Sequence, residues 1–418
     1  MIERKFMQKV IQVNVLDKDD DLDNKIYELE SLINTAGGET IAYVSQNITK
    51  VNPRYYIGKG KVEEIMDLAK KNDIDTVIFD VELSASQLYN LEEEMKLHIV
   101  DWTTLILDIF AMRANTRESR LKIKLAQLKY QLPRINKWFS YLSRQAGGIG
   151  TRGPGETMLE TDRRAIVRDI KSLEKALKDV EKTKRINRKA RKDVHNISLV
   201  GYTNAGKSTI LNGMLNLFGE EKFVYSDDLL FATLDTSTRR LDFSNTKVTL
   251  TDTVGFIDNL SKELNDSFLT TLDEVRFADM LLIVIDSSHN IDHQLKTIEK
   301  SLADIDIGDK EILYVFNKMD KVENELKVSL YKRDAEKIYI SAHKDQDLVR
   351  LKEKIVSIIK EDYKLVSMHI PFTDGKIMDY IMTNYDILER EYDELGLRMK
   401  LKISHEDYAK YDRYIEKV

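Results

Sequence analysis

An α/β fold in four consecutive parts is what this 418-residue chain predicts, and three features of the sequence carry that reading. Short β-like runs alternate with helix-spaced segments in two long stretches, the pattern of parallel sheets covered by helices. Between those stretches lie two heptad-spaced apolar seams in the most basic part of the chain. The second alternating stretch opens on G-Y-T-N-A-G-K-S-T, residues 201–209, set between a strand-like and a helix-like run.

The first part, residues 1–115, has β-like runs at 11–15 (I-Q-V-N-V), 40–44, 76–80 and 98–101. Between them Leu22, Ile26, Leu29 and Ile33, and then Val62, Ile65, Met66 and Leu68, have helical spacing, so a small α/β domain with a largely parallel sheet is expected. The second part, 116–193, carries Leu121, Leu125, Leu128 and Leu132, then Ile166, Ile170, Leu173, Leu177 and Val180. Two seams this narrow cover one another best as an antiparallel helical hairpin. Pro133 should end or kink the first arm, and Thr157 with Glu160 should cap the start of the second.

Five of the chain's 17 glycines, Gly147, Gly148, Gly150, Gly153 and Gly155, fall with Pro154 between these arms, beside Arg144 and Arg152. From residue 113 to 193 there are 23 Lys/Arg against 9 Asp/Glu, a local +14, so a net charge of −6 leaves about −20 for the rest. A basic projection tipped by a glycine loop suits a phosphate backbone, because glycine lets main chain approach closely and arginine meets phosphate or stacks on a base.

The third part, 194–363, has strand-like runs at 197–200, 247–251, 281–285, 312–316 and 337–340. In the fourth, 364–418, a short strand at 370–372, a helix from 375 to about 394 and a strand at 397–403 indicate a small α+β domain. The longest apolar run, M-L-L-I-V-I at 280–285, is far too short to cross a bilayer. A chain without cysteine has neither disulfides nor thiolate metal sites, which allows a cytoplasmic location.

The chemistry lies in the third part. Residues 201–209 match G-x-x-x-x-G-K-[ST]: Gly201 and Gly206 permit the tight turn, with Tyr202, Thr203 and Ala205 completing the loop. Amides from Asn204 to Thr209 can ring phosphates, Lys207 can reach the β- and γ-phosphates, and the Ser208 hydroxyl can hold Mg²⁺. In D-T-V-G, Asp252 can hold a water on Mg²⁺ and the Gly255 amide can meet the γ-phosphate, Thr253 and Val254 lying between. N-K-M-D, comprising Asn317, Lys318, Met319 and Asp320, chooses the base: a carboxylate accepts both N1–H and the 2-amino group of guanine, a donor pair that adenine lacks. Ser341 and Ala342 can bring an amide to guanine O6, with His343 beside them.

Between the first two motifs, the stretch with Phe231, Ala232, Thr233, Leu234 and Asp235 should supply a threonine to Mg²⁺; Thr233 is preferred, and Thr236 and Thr238 stay open. Phe256 stands where many such enzymes carry a water-orienting glutamine, so hydrolysis should be slow alone and faster with a partner. His289 and His293 read as a surface turn, and I-G-K-G-K at 57–61 as a simple turn.

These stretches together resemble the HflX family of ribosome-associated GTPases over nearly the full length. The likeness is carried by Y-I-G-K-G-K-V-E-E-I, L-I-L-D-I-F-A-M-R-A, L-A-Q-L-K-Y-Q-L-P-R, S-R-Q-A-G-G-I-G-T-R-G-P-G-E-T-M-L-E-T-D-R-R, G-Y-T-N-A-G-K-S-T, F-A-T-L-D and D-T-V-G-F. The resemblance implies a P-loop GTPase domain using Mg²⁺ with GTP, and an N-terminal domain and hairpin that dock on the large ribosomal subunit. It also implies a glycine loop that reaches rRNA near the peptidyl-transferase region, and GTP-dependent splitting of stalled ribosomes with hydrolysis releasing the factor. A monomeric cytoplasmic protein is expected, with stress or drug-stalled ribosomes as the setting. Asp101-Trp102-Thr103 and Ala146 depart from the family pattern, as does the loop after Ser341-Ala342, which lacks a usual glycine. The alternatives are a large-subunit assembly GTPase and a nucleotide-gated rRNA-binding module with negligible turnover.

Overall fold

The structure is a computed structural model, and it describes residues 8–17, 22–145, 154–189, 194–219, 237–243, 246–256, 273–303, 305, 307–308, 310–323, 328–332, 334–361, 363–385 and 387–416. Asp273 aside, these fall into two compact units that divide between residues 189 and 194.

The first unit begins with β1 (Gln8–Leu16), α1 (Leu22–Thr35), β2 (Gly38–Asn47), α2 (Lys59–Asn72), β3 (Thr76–Phe79), α3 (Ala85–Met95), β4 (His98–Val100) and α4 (Trp102–Arg113). The strands pair in parallel in the order β2-β1-β3-β4. One face of β1 presents Ile11, Val13 and Val15 to a core with Ile57, Val62, Ile65 and Leu91. The other face carries Gln12 and Asn14, which are also fully buried. They stay inside because they bond internally: Gln12 Nε2 donates to Asn14 Oδ1 and to the Ile26 carbonyl, both at 3.0 Å. I-G-K-G-K is a turn into a helix, with Gly58 preceding α2 and its amide donating to Gln46 Oε1 at 3.0 Å.

The hairpin arms are α5 (Arg117–Gln145) and α6 (Pro154–Lys189), joined by eight residues that lie outside the described ones. Leu125, Leu128 and Ile170 are buried between them, with Leu132, Ile166, Leu173 and Leu177 packed alongside, and Lys129 Nζ meets Glu174 Oε1 at 3.0 Å. Of the two outcomes expected at Pro133, an end or a kink, the end does not occur: α5 runs through the proline, which removes one helical donor. The expected start of the second arm is corrected. α6 starts at Pro154, three residues before Thr157: proline suits a first helical position, where its missing N–H would have no partner in the helix. The helix thus takes in Gly155 from the glycine-rich stretch and the Thr157–Glu160 segment expected to cap it.

The root of the hairpin is fixed by a buried carboxylate. Asp101, fully buried at the start of α4, accepts from Thr104 N, Thr104 Oγ1, Leu83 N, Tyr130 OH and Arg134 Nη2, the last at 2.8 Å. Tyr130 and Arg134 belong to α5, and the guanidinium also lies over the Tyr130 ring. Burial first, and then the Asp101 charge, push the Tyr130 hydroxyl well above the usual phenol range.

The second unit contains β5 (His195–Gly201), α7 (Lys207–Phe218), β6 (Ser237–Asp242), β7 (Lys247–Asp252), β8 (Met280–Asp286), α8 (Ile291–Ala303), β9 (Glu311–Asn317), β10 (Lys337–Tyr339) and α9 (Asp345–Glu361). Their sheet has the order β10-β9-β8-β5-β7-β6, parallel except for the edge strand β6, which runs against β7. Every residue of β8 is buried, which is why that run is continuously apolar: a central parallel strand is covered on both faces.

The unit ends with β11 (Lys364–Pro371), α10 (Gly375–Asn384), β12 (Ile387–Tyr392), β13 (Gly396–Ile403) and α11 (His405–Lys410), an antiparallel sheet of order β11-β13-β12. The helix expected to reach residue 394 stops at Asn384, and its second half is β12 instead. A turn decides this: Asp393 Oδ1 accepts from the Leu395 and Gly396 amides, each at 2.9 Å, and folds the chain back onto β13. A side chain at Gly396 would lie 2.3 Å from the Ile370 carbonyl oxygen, so only glycine lets β13 approach β11 there. The strand expected at 370–372 is the end of the longer β11, and Phe372 lies beyond it.

Candidate nucleotide site

The loop from β5 to α7 holds Gly201, Tyr202, Thr203, Asn204, Ala205 and Gly206, with Lys207, Ser208 and Thr209 opening the helix. Gly206 takes φ +93, and a side chain there would lie 2.2 Å from Asn317 Nδ2. At Gly201 a side chain would lie 2.3 Å from the Val284 carbonyl oxygen. Both glycines are therefore steric necessities of the turn. The helix begins at Lys207 directly after the loop, with Gly206 as an N-cap that offers no side chain to its first amides, and such a helix N-terminus is a positive end suited to phosphate.

Lys207 is buried, and its ammonium donates to the Gly201 and Tyr202 carbonyls at 3.0 and 2.8 Å. Burial pushes it down to about 8, against the opposing pull of Asp252. Ser208 Oγ donates to Asp252 Oδ2 at 2.6 Å. This hydroxyl and this buried carboxylate are hard oxygen donors in contact, a set that fits Mg²⁺.

The D-T-V-G stretch folds onto the loop through its backbone. Phe256 N donates to the Gly201 carbonyl at 3.0 Å, and Thr203 N donates to the Phe256 carbonyl at 2.9 Å. Thr253 Oγ1 donates to the Leu199 carbonyl at 2.6 Å, and Val254 is buried. A side chain at Gly255 would lie 2.7 Å from Thr203 Cα and 3.0 Å from Lys207 Nζ, so this glycine sits against the phosphate loop.

Asn317, at the end of β9, ties the remaining motifs to that loop. Its Nδ2 donates to the Ala205 carbonyl at 2.9 Å, and its Oδ1 accepts from Ala342 N at 3.0 Å. Lys318 follows in a left-handed conformation with φ +61, and Met319 and Asp320 form a short 3₁₀ turn. The Asp320 carboxylate is exposed, and the Ser341 hydroxyl, then backbone and the His343 charge, hold it below the usual carboxylate range. Phosphate loop, Asp252 to Gly255, Asn317 to Asp320 and Ser341 to His343 thus converge.

The stretch with Phe231, Ala232, Thr233, Leu234 and Asp235 lies outside the described residues, as does Thr236. Thr238 lies on β6, and its hydroxyl shares a hydrogen bond with Thr251 Oγ1 at 3.0 Å. Arg239 and Arg240 are on the same edge strand. Of the glycine-loop residues, Gly147, Gly148, Gly150, Arg152 and Gly153 lie outside the described residues, while Arg144 falls in α5 and Gly155 in α6.

Two supporting carboxylates escape a motif-by-motif reading. Asp286, at the end of β8, accepts from Lys318 Nζ at 2.8 Å through Oδ2 and from Ser288 N and Oγ through Oδ1. Asp347, in the first turn of α9, accepts from Ser341 N at 2.8 Å. The first had a visible signal, a carboxylate closing the most apolar strand of a parallel sheet, since ligand sites gather at the carboxyl ends of such strands. His289 lies 3.9 Å from Asp286 and the His293 ring meets Tyr202 edge-on, while no group of three metal-ligating side chains occurs among the described residues.

Comparison with known proteins agrees with this geometry. Three sequence-family profiles match in succession: "GTP-binding GTPase N-terminal" over residues 23–111, "GTP-binding GTPase Middle Region" over 113–191 and "50S ribosome-binding GTPase" over 196–318. The GTPase HflX of Caldanaerobacter subterraneus is 41% identical over 96% of this chain and 92% of its own length. That of Escherichia coli is 37% identical over 86% of this chain and 84% of its own. The solved structure of SsGBP in complex with GDP shares the fold, with a TM-score of 0.50 and 24% identity over 85% of this chain and 99% of that one. With profiles covering most of its length and full-length relatives at this identity, the chain is a GTPase that belongs to the HflX family.

Proposed function

We propose that this GTPase docks on the large ribosomal subunit through its hairpin and glycine-rich loop, and that in the GTP-bound form it splits stalled ribosomes into subunits, with hydrolysis releasing it. The observation that carries the reading is the charge of residues 113–193, 23 cationic against 9 anionic side chains flanking a glycine loop between two long helices, on a chain that also holds a guanine-nucleotide site. A cationic arm on a ribosome-binding GTPase has rRNA phosphate as its natural counterpart. Arg144 and Arg152 would meet phosphates or stack on bases, and Gly147, Gly148, Gly150, Gly153 and Gly155 would let the backbone come close.

At the nucleotide site, Lys207 would neutralise the β- and γ-phosphates, Gly255 N would meet the γ-phosphate, and Asp320 with Ala342 N would select guanine. Mg²⁺ would be held by Ser208, by Asp252 through water and by Thr233, and it would supply charge neutralisation on the phosphates. Phe256 is buried with its backbone paired to the loop, and a phenyl ring neither accepts a proton nor orients water. This supports slow turnover alone and stimulation by the ribosome. The protein would act in the cytoplasm as a monomer; no helix among the described residues is long and apolar enough to cross a membrane.

Sedimentation of intact ribosomes with this protein and a non-hydrolysable GTP analogue tests the reading. Subunits should accumulate, and persistence of intact ribosomes would overturn splitting. Preferential binding to immature large particles would point to assembly instead.

A further inference from the structure

The family profiles stop at residue 318, and the small domain from Lys364 onward has no part in the function proposed above. One end of its sheet is unusual. Phe372, Tyr392 and Leu395 are 52, 58 and 74% exposed. The two rings stack nearly parallel, 8° apart with centroids at 6.5 Å, and form one apolar surface, while Phe372 N donates to the Leu395 carbonyl at 3.3 Å, which brings the exposed Leu395 to the same end of the sheet. Every residue from Leu388 to Leu395 is exposed, and Glu391, Asp393 and Glu394 surround Tyr392 in the sequence E-Y-D-E-L. Asp393 is built into the turn, accepting the Leu395 and Gly396 amides and meeting His369 Nε2 at 3.2 Å. The Leu395 amide above all holds its carboxyl below the usual range.

An ordered aromatic patch that water reaches from one side marks an interaction surface, and tyrosine, phenylalanine and leucine suit its centre. Its rim identifies the partner. A ribosome offers two chemistries, phosphate-lined RNA and basic protein. Three carboxylates in five residues repel the first and attract the second. A second copy of this chain would set the same anionic turn against itself. Addition of a foreign strand to β12 is opposed by the register shift at Leu388 and by Glu389, Arg390 and Glu391 along that strand.

We infer that the Phe372–Tyr392–Leu395 patch and its acidic turn dock on a basic, partly apolar protein surface of the large ribosomal subunit, which gives the chain a protein contact separate from its cationic arm. This rests on the ribosome-binding reading above. The patch would add affinity through apolar burial and orientation through charge, at a site that RNA cannot occupy.

The test places a photocrosslinking benzophenone side chain at position 392 of the full-length chain, bound with a non-hydrolysable GTP analogue to purified large subunits. Irradiation should yield an adduct with one basic ribosomal protein that survives nuclease. Tyr392→Ala with Leu395→Ala should weaken co-sedimentation about tenfold or more, leaving affinity for a fluorescent GTP analogue unchanged. Glu391→Gln with Glu394→Gln should weaken binding less and reduce its salt dependence, whereas Leu388→Ala, in the bulge of β12, should change nothing. An RNA adduct, an adduct between two copies, or a bound chain giving no protein adduct would each overturn the inference while leaving ribosome binding intact. Failure of the unaltered chain to sediment with the subunit would overturn both, so the two failures are told apart.

Discussion

The N-terminal sheet and the nucleotide-site sheet share an organisation and differ in what their strand ends do. In both, parallel strands finish in carboxylates or amides at the carboxyl edge, where α/β proteins bind ligands. In the first, Asp80 and Asp101 follow β3 and β4 directly. In the second, Asp252, Asp286 and Asn317 end β7, β8 and β9. Asp80 accepts Val15 N at 2.8 Å and lies 3.9 Å from Lys25 Nζ, and Asp101 is held by five donors of its own unit. Asp252 and Asp286 instead hold Ser208 and Lys318, side chains from the stretches that would meet nucleotide. A strand-end acid surrounded by fixed partners is structural; one that holds a side chain needed by a ligand is a site.

The strongest way to break this contrast is at Asp101. Replacing it by alanine leaves Arg134 and Tyr130 without their buried acceptor, and removing one partner of a buried ion pair costs about 3–5 kcal/mol. Asp101→Ala should therefore lower the denaturation midpoint of the full chain sharply while leaving GTP affinity unchanged. Chemical denaturation alongside fluorescent-nucleotide titration checks both, and a selective loss of GTP binding would erase the distinction.

Lys207→Ala should do the reverse. Losing a charge-assisted contact to two phosphates should weaken GTP at least about 100-fold, with little loss of stability, since the ammonium is already pushed down to about 8 by burial. The same value gives a pH dependence. It lies below the ordinary 10.5, so the charged form is lost as pH rises through 8, and bound phosphate favours its return. GTP affinity measured from pH 7 to 9 should fall by up to about tenfold per unit above 8, and a flat profile would show that Lys207 stays charged in the empty site. At Asp320 the base is at stake. Asp320→Asn should weaken GDP on the order of tenfold to hundredfold and relax rejection of xanthine nucleotides, which competition binding reads directly.

How much of this was legible depended on whether a feature is local. Gly201, Gly206, Lys207 and Ser208 are readable because a phosphate loop needs those residues at fixed spacing between strand and helix, and the heptad seams are readable because Leu125, Leu128 and Ile170 meet at helical period. Features decided by distant partners were not. β12 has helix-forming residues, and only pairing with β13 and the Asp393 turn make it a strand. The Thr157–Glu160 pair looks like a cap, yet Pro154 opens the helix one turn earlier. Gln12 and Asn14 are polar yet fully buried on β1, because the fold brings the Ile26 carbonyl to one and the Asp80 carboxylate to the other.

Asp286 belongs to none of the nucleotide-binding motifs and offers the finest test of the contrast. Its carboxylate is buried, and Lys318, held at φ +61, directs its ammonium onto it at 2.8 Å, so the lysine stem is fixed two residues from Asp320, the side chain proposed to select the base. If Asp286 serves the site, its effect passes through Lys318. Asp286→Asn should raise the GDP dissociation rate about three- to tenfold, as expected for a charge-assisted bond weakened by one charge, and Lys318→Ala should do at least as much. The double variant should be no worse than Lys318→Ala alone, because the two changes remove one interaction and contacting residues are not additive. Additive effects would mean that Asp286 acts on the loop as a whole, like Asp101 in the other sheet. Stability separates the cases independently: positioning alone leaves the denaturation midpoint of the Asp286→Asn chain close to that of the parent, whereas a structural acid would drag it down in step with nucleotide release.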